Sequence, residues 1–298
     1  MKKRENSPLF AFFGTPLFAV RVLDALERHG YLPTLVITAP DKPRGRGQRP
    51  SPAPAKEWAQ ARGIDVITPA TLNDESLVAE FQNTAWDVFI VAAYAKLLPR
   101  TVLNIPKHGC LNIHPSLLPK FRGPSPVLST ILEDEKMTGV SIMLMNEQMD
   151  HGPIVAQARV EIAPEDWPPK GSVLLDLLAT EGGNLLAETI PAWIAGRITP
   201  EPQNESQASY TKKFTDEDAR LDISSRSNAR QNFLKTRAFD AKAFDLSHRA
   251  YFLDKNGKRV IVTEADFKDD AFEILKVIPE GKKEMPFKTC RGGRAGTP

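Results

Sequence analysis

Gly109-Cys110-Leu111-Asn112-Ile113-His114-Pro115-Ser116-Leu117-Leu118-Pro119 is the stretch on which the fold turns. Cys110 to His114 is a short run closed by Gly109 on one side and Pro115 on the other, the outline of a strand. A period of two sends Leu111 and Ile113 to one face and Asn112 and His114 to the other. Pro115 and Pro119 end the strand and shape the turns that follow. An amide and an imidazole are therefore paired on the last residues of one strand.

The residues upstream say what sheet that strand joins. Leu9 to Phe13, Thr34 to Thr38 and Asp87 to Val91 are apolar-rich runs of strand length. Between the first two, Pro16 to His29 carries Phe18, Val22 and Leu26 at helical spacing, with Thr15 and Pro16 matching an N-cap and N1. Ala55 to Arg62 reads as a second helix, stopped by Gly63. Alternating strands and helices predict an α/β fold with a Rossmann-like parallel sheet, buried on both faces. Ligands of such sheets bind beyond the carboxyl ends of the strands. The opening turn, Gly14-Thr15-Pro16, lacks the GxGxxG pattern, so a nicotinamide-dependent dehydrogenase is not expected.

Downstream, Gly139 to Met145 and Ile154 to Ile162 read as strands joined by the turn-rich Asn146 to Pro153. Gly171 to Ala195 carries a long helical pattern with Pro191 as a kink point. The polar, proline-bearing stretch 198–209 reads as a linker. Beyond it, Asn256-Gly257 between Tyr251–Leu253 and Arg259–Thr263 signals a hairpin, and Phe272 to Ile278 a further strand. The expected organisation is a catalytic domain over 1–197, a linker over 198–209 and a small β-rich domain over 210–298.

Composition bounds the class. With 298 residues, 41% hydrophobic and 26% charged, the chain has the balance of a soluble globular protein of two domains. No apolar run nears the roughly 18 residues of a membrane helix, and Leu9 to Phe13 is too short for a secretory leader. Neither cysteine, Cys110 nor Cys290, belongs to a ligand spacing, so no zinc site or disulfide framework is indicated. Free thiols fit a reducing cytoplasm. The net charge of +2 hides a split: residues 210–298 hold 19 basic and 14 acidic residues, the remainder 20 and 23. A basic C-terminal section hints at an anionic partner, although a solvated face looks the same.

Two hydrogen-bond donors converging on one point suit an oxyanion, the species formed when a nucleophile attacks a carbonyl. A nearby carboxylate favours the charged imidazole. Asp150, in Met149-Asp150-His151-Gly152, is the candidate. Each residue also has a plainer reading. A polar residue at a strand end is commonly a structural hydrogen-bonder, and Asp near Gly is a common turn.

Asn112 to Pro119, then Phe121-Arg122-Gly123, Thr138-Gly139-Val140 and Asp150-His151-Gly152, resemble in order and spacing the formyl transferase superfamily. That resemblance implies that Asn112, His114 and Asp150 are the catalytic set. It implies 10-formyltetrahydrofolate as formyl donor and no metal. Ser116, Leu117, Leu118 and Pro119 would border the folate. Val91 to Pro99 looks like the family's folate-pocket segment, with Leu97 and Leu98 against the pterin. The chemistry implied is attack of an amine on an activated formamide. Asn112 and His114 hold the formyl oxygen, and Asp150 orients and ionises His114.

The loop from Ala39 to Pro54 bears on the acceptor. Lys42, Arg44, Arg46 and Arg49 face only Asp41 in local charge. Its glycines favour flexibility and its prolines argue against a regular strand. Basic loops of this kind clamp phosphate backbones, although a solvated surface loop has the same composition. Pro40-Asp41-Lys42-Pro43 and Gly45-Arg46-Gly47, followed by Ser51-Pro52, are similar to the acceptor-stem loop of the methionyl-tRNA formyltransferase branch of the superfamily. Tyr210-Thr211-Lys212-Lys213 and Asp218 to Asp222 resemble the start of that branch's C-terminal domain. The likeness implies methionyl initiator tRNA as partner, an OB-like tRNA-binding C-terminal domain, a monomer and a role in translation initiation. After Arg237-Ala238-Phe239 the chain departs from the branch, with Asp240 to Phe244 in place of a proline- and tryptophan-containing turn. Other readings keep the catalytic set. They change the acceptor to glycinamide ribonucleotide, an amino-sugar nucleotide or water; the Lys42–Arg49 loop counts against the first two. A non-catalytic RNA-binding module is opposed by the intact set.

Overall fold

The computed structural model describes residues 7–44, 49–240 and 248–290. They fall into two units. One comprises Met1–Gly123, Met137–Glu161 and Leu175–Thr211; the other comprises Pro124–Lys136, Ile162–Leu174 and Lys212–Pro298.

The first unit is built on Phe10–Gly14 (β1), all five residues of which are buried. The chain then forms Leu17–Arg28 (α1), Leu35–Ile37 (β2), Lys42–Arg44 (β3), Arg49–Ser51 (β4), Pro54–Gln60 (α2) and Asp65–Ile67 (β5). Glu75–Gln82 (α3), Val88–Ala92 (β6), Arg100–Leu103 (α4) and Cys110–His114 (β7) follow. Seven strands make one sheet in the order β5-β2-β1-β6-β7-β8-β9, where β8 is Thr138–Leu144 and β9 is Ile154–Val160. Five are parallel, as the alternation predicts. β8 is reversed, antiparallel to both of its neighbours, so β9 again runs with the first five strands; the short turn-rich connection from β8 to β9 returns the chain directly instead of through a crossover helix. The chain leaves β1 for β2 on one side, and β6 lies on the other. This is the switch point at which α/β sheets bind ligands. A Cβ at Gly14 would stand 2.8 Å from Ala92 O, so glycine lets the ends of β1 and β6 close together.

An aromatic cluster packs against this sheet. The Phe89 ring lies 5.3 Å from Phe13, 5.9 Å from Phe81 and 5.6 Å from Trp86, all tilted or edge-on. Such geometry adds about 1 kcal/mol per pair to the area buried. β5 and α3 carry too little periodicity to be read from sequence. α3 starts on Asp74, whose carboxylate accepts from Ser76 N at 2.9 Å. Thr15 does not cap α1 as expected. Pro16 occupies the N-cap, and the Thr15 hydroxyl accepts from Ala39 N at 3.3 Å, tying the end of β1 to the end of β2.

Two expectations about irregular stretches are corrected. Prolines do not keep the basic loop from pairing: β3 and β4 form an antiparallel ribbon with Pro43 opposite Pro50. Facing prolines fit a non-hydrogen-bonded pair, where neither N–H is needed, and a two-stranded ribbon is all edge. Arg46 lies outside the described residues. The stretch 198–209, expected as a linker, belongs to the first unit: Glu201 exchanges two hydrogen bonds with Ile154 at 2.7 and 2.8 Å, and Tyr210 bridges to Arg122.

The second unit holds Pro126–Leu132 (α5) and Ala229–Ala238 (α7). It also holds the strands Tyr251–Leu253 (β10), Arg259–Lys268 (β11), Ala271–Pro279 (β12) and Met285–Pro286 (β13). A 24-residue helix, Gly171–Ile194 (α6), continues through Pro191. The β10–β11 hairpin forms where Asn256-Gly257 predicts it, with Gly257 N donating to Asp254 O at 2.9 Å. The β11–β12 turn uses Asp269 and Asp270 at φ 48° and 57°, a left-handed pair made without glycine. Phe233 of α7 stacks on Phe267 of β11 at 5.7 Å. Asp134 accepts from Arg230 and from Trp167 Nε1 at 2.7 and 2.6 Å. The domain is β-rich as expected. Among the described residues it is a four-stranded antiparallel meander, without the fifth strand of an OB barrel. The departure at 241–244 lies outside the described residues.

Candidate active site

β7 presents Asn112 opposite Val91 of β6 and Met143 of β8. The Asn112 carboxamide is half-buried and makes no hydrogen bond to any other described residue. On the same strand face, His114 is 4% exposed. Its Nε2 lies 2.9 Å from Phe121 O. A carbonyl only accepts, so Nε2 carries a proton and donates it. That leaves Nδ1 as the ring nitrogen free for chemistry. Nδ1 faces Asp150 Oδ1 at 3.7 Å, longer than a hydrogen bond and close enough for charge to couple.

Asp150 is fixed from three sides. Its Oδ2 accepts from Gly123 N at 2.7 Å. Its carbonyl and that of Gly152 accept from Gln203 Nε2 at 2.8 and 2.7 Å. Its backbone sits at φ 56°, a left-handed conformation sparse for non-glycine residues and typical of functional turns. Gly152 leaves no choice: a Cβ there would lie 1.8 Å from Leu144 O. Phe121 is likewise left-handed at φ 61°, which aims its carbonyl at His114.

Behind this pair lies a residue that sequence reasoning quoted but gave no role. Arg122 has no exposed surface. Its Nε donates to Gln203 Oε1 at 2.9 Å, and its two Nη groups reach Glu205 at 2.9 and 2.7 Å. Nη1 also lies 3.1 Å from Tyr210 Oη and 3.0 Å from the His151 ring. Hydrogen bonds from Arg122 hold the Glu205 carboxyl below its ordinary range, and the same bonds raise the guanidinium. Arg122 could be flagged from its place between Phe121 and Gly123. Gln203 and Ser209 left no signal, because their partners lie in turns far along the chain.

The residues expected against folate divide. The Ser116 hydroxyl donates to Lys120 O at 2.6 Å, and Leu118 is buried, with its N–H on Ser141 Oγ at 2.9 Å. These two shape the turn. Leu117 and Pro119 keep surface to offer. Leu97 and Leu98 do not act as a pair: Leu98 is 5% exposed and sits in the core, while Leu97 is 67% exposed. On the same segment the Tyr94 hydroxyl is buried without a hydrogen-bond partner among the described residues. Burial pushes it up to about 12, so it stays a donor. An orphaned hydroxyl and an uncovered apolar side chain fit a ligand with a polar edge and a flat apolar face. Lys42, Arg44 and Arg49 lie on the β3–β4 ribbon.

Cys110 is buried, donates to Leu103 O at 3.6 Å and is pushed up to about 12 by burial, so it is no nucleophile. Among the described residues no three His, Cys, Asp or Glu side chains are placed to hold a metal ion, and no helix is long and apolar enough to cross a membrane.

Known proteins share this architecture. A family model described as formyl transferase matches residues 9–173. Methionyl-tRNA formyltransferase of Thermus thermophilus is 46% identical over 214 residues, covering 72% of this chain and 68% of that protein. Two solved structures share the fold: methionyl-tRNA formyltransferase from Clostridium thermocellum, with TM-score 0.58 and 13% identity over 94% of this chain and 99% of that one, and HypX from Aquifex aeolicus in complex with tetrahydrofolic acid, with TM-score 0.62 and 16% identity over 96% of this chain and 47% of that one. The family match spans the strand bearing Asn112 and His114 and the turn bearing Asp150, and the chain belongs to the formyl transferase family.

Proposed function

We propose that this protein transfers the formyl group of 10-formyltetrahydrofolate to the α-amine of methionyl initiator tRNA, as a monomer in the cytoplasm. The likeness to a methionyl-tRNA formyltransferase over most of both chains carries the acceptor assignment. In this reading residues 1–197 hold the chemistry. The basic region 210–298 binds tRNA together with Lys42, Arg44, Arg46 and Arg49.

The amine attacks the formyl carbon and the carbonyl π pair moves onto oxygen. The uncommitted Asn112 carboxamide donates to that oxyanion, and His114 supplies a second donor from Nδ1. Collapse breaks the bond between the formyl carbon and folate N10. The amine loses one proton and N10 gains one, so protons balance. Asp150, 3.7 Å from Nδ1, takes part in this exchange, with a neighbouring water as proton carrier. Leu97, Leu117 and Pro119 cover the donor, with Ser116, Leu118 and Leu98 supporting them from below.

The test is direct. Purified protein, 10-formyltetrahydrofolate and methionyl initiator tRNA should yield formyl-methionyl-tRNA. Release of tetrahydrofolate with no formylated tRNA overturns the acceptor and favours hydrolysis. Product on an amino-sugar nucleotide in its place overturns it equally.

A further inference from the structure

We infer that Gln203 and Ser209 are positioning residues, and that the stretch 203–211 is a brace that sets Asp150 against His114. The inference rests on the catalytic roles proposed above and adds two residues outside them.

Gln203 uses every polar atom of its carboxamide. Arg122 can only donate, so the Gln203 oxygen must face Arg122 Nε, at 2.9 Å. The NH2 group is thereby turned toward the carbonyls of Asp150 and Gly152. One side chain thus clasps both ends of a turn whose first residue, Asp150, is held at φ 56°. Arg122 is itself immobilised by Glu205 and Tyr210, both within the same stretch.

Ser209 serves the other half of the pair. Its N–H donates to Pro119 O at 3.2 Å, its carbonyl accepts from Arg122 N at 2.9 Å, and its hydroxyl accepts from Phe121 N at 2.9 Å. These three bonds hold the left-handed Phe121 whose carbonyl receives His114 Nε2. Thr211 N closes the brace on Arg122 O at 2.7 Å. Through Gly123 N the same turn also holds Asp150 Oδ2.

Gln203→Glu is the sharp variant. It keeps shape and the Arg122 partner but turns lone pairs on two carbonyls, opening the Asp150 turn. A displacement of about 1 Å lowers kcat roughly 10- to 100-fold, with both KM values within about twofold. The deciding measurement is a double-mutant cycle. In an Asp150→Asn background, Gln203→Glu should change kcat less than about twofold, since it acts only through Asp150. Ser209→Ala should likewise lower kcat in the native background and add little to His114→Asn, while Ser209→Thr, which keeps the acceptor, restores activity. Additive losses in both cycles, or a Gln203→Glu protein that folds with native kcat, overturn the brace. If Gln203→Glu does not fold, the Ser209 cycle decides alone. Native kcat in Asp150→Asn itself overturns the catalytic reading instead, so the two failures are told apart.

Discussion

Two polar, proline-bearing stretches look alike in the sequence and end up doing different things. Within residues 39–54, Lys42–Arg44 and Arg49–Ser51 become the β3–β4 ribbon, whose two strands pair, among the described residues, only with each other. Residues 198–211 thread along the first unit and lodge their side chains against Asp150, Gly152, Phe121 and Arg122. Composition cannot separate them, because both are short of apolar residues. What separates them is where the hydrogen bonds go: local in the ribbon, at separations above fifty residues in the brace. A local network can bend with a ligand. A long-range one fixes geometry between elements far apart in the chain.

The contrast predicts different kinetic signatures. The brace converges on His114 and Asp150, so under the proposed roles its variants cannot exceed the effect of removing those two side chains. His114→Ala sets this ceiling: kcat should fall on the order of 10² or more, as loss of an oxyanion donor does. Single-turnover kinetics at saturating substrates measure it, and near-normal turnover would discard the role of His114. Arg122→Met comes next. It strands Gln203 Oε1, while the exposed Glu205 and Tyr210 side chains return to water. The loss should be about 2 kcal/mol of stability, mostly from the unmet Gln203 oxygen, with kcat falling as Gln203 loses its orientation. Urea unfolding checks it, and an unchanged midpoint would mean that the guanidinium holds nothing. Arg44→Ala, on the ribbon, should leave kcat and stability alone. It should raise the KM for tRNA a few-fold and lower the salt slope by about 1. A change in folate KM alone would break the comparison.

How much of this was legible in the sequence follows the same division. The strand Cys110–His114, the alternation that makes the sheet, and the Asn112–His114 face all rest on local periodicity, and they stand as read. Asp150 and Gly152 were visible as a turn, and a Cβ 1.8 Å from Leu144 O is the physical reason for that glycine. Leu97 and Leu98 look equivalent as adjacent leucines. Their burial differs because the irregular stretch after β6 packs Leu98 into the core and leaves Leu97 outside it. The reversal of β8, and every contact of Gln203 and Ser209, depend on partners far along the chain, which no local pattern encodes.

Just past the brace, Lys212 and Asp218 make a third polar arrangement, local and exposed, and it should yield the smallest effect. Burial alone would raise the Asp218 carboxyl. Hydrogen bonds from Lys212, the Thr215 N–H and the Thr215 hydroxyl outweigh that and bring it down to about 2. A carboxyl depressed on folding contributes stability that is present above its unfolded value, about 3.9, and is lost as pH falls toward about 2. Lys212→Met removes one donor while keeping an apolar stem beside Phe214, over whose ring the ammonium sits at 5.5 Å. Lys212 is 65% exposed, so water screens the pair and the loss at pH 7 should stay under about 1 kcal/mol. The gap between native and variant proteins should narrow as pH falls from about 4 to about 2, since the proton competes with the missing ammonium for the same carboxylate. Urea midpoints at pH 7, 4 and 3 measure it. A gap that is constant across that range would assign the loss to packing on Phe214, and would leave the ion pair with no part in holding the first turn of the second unit.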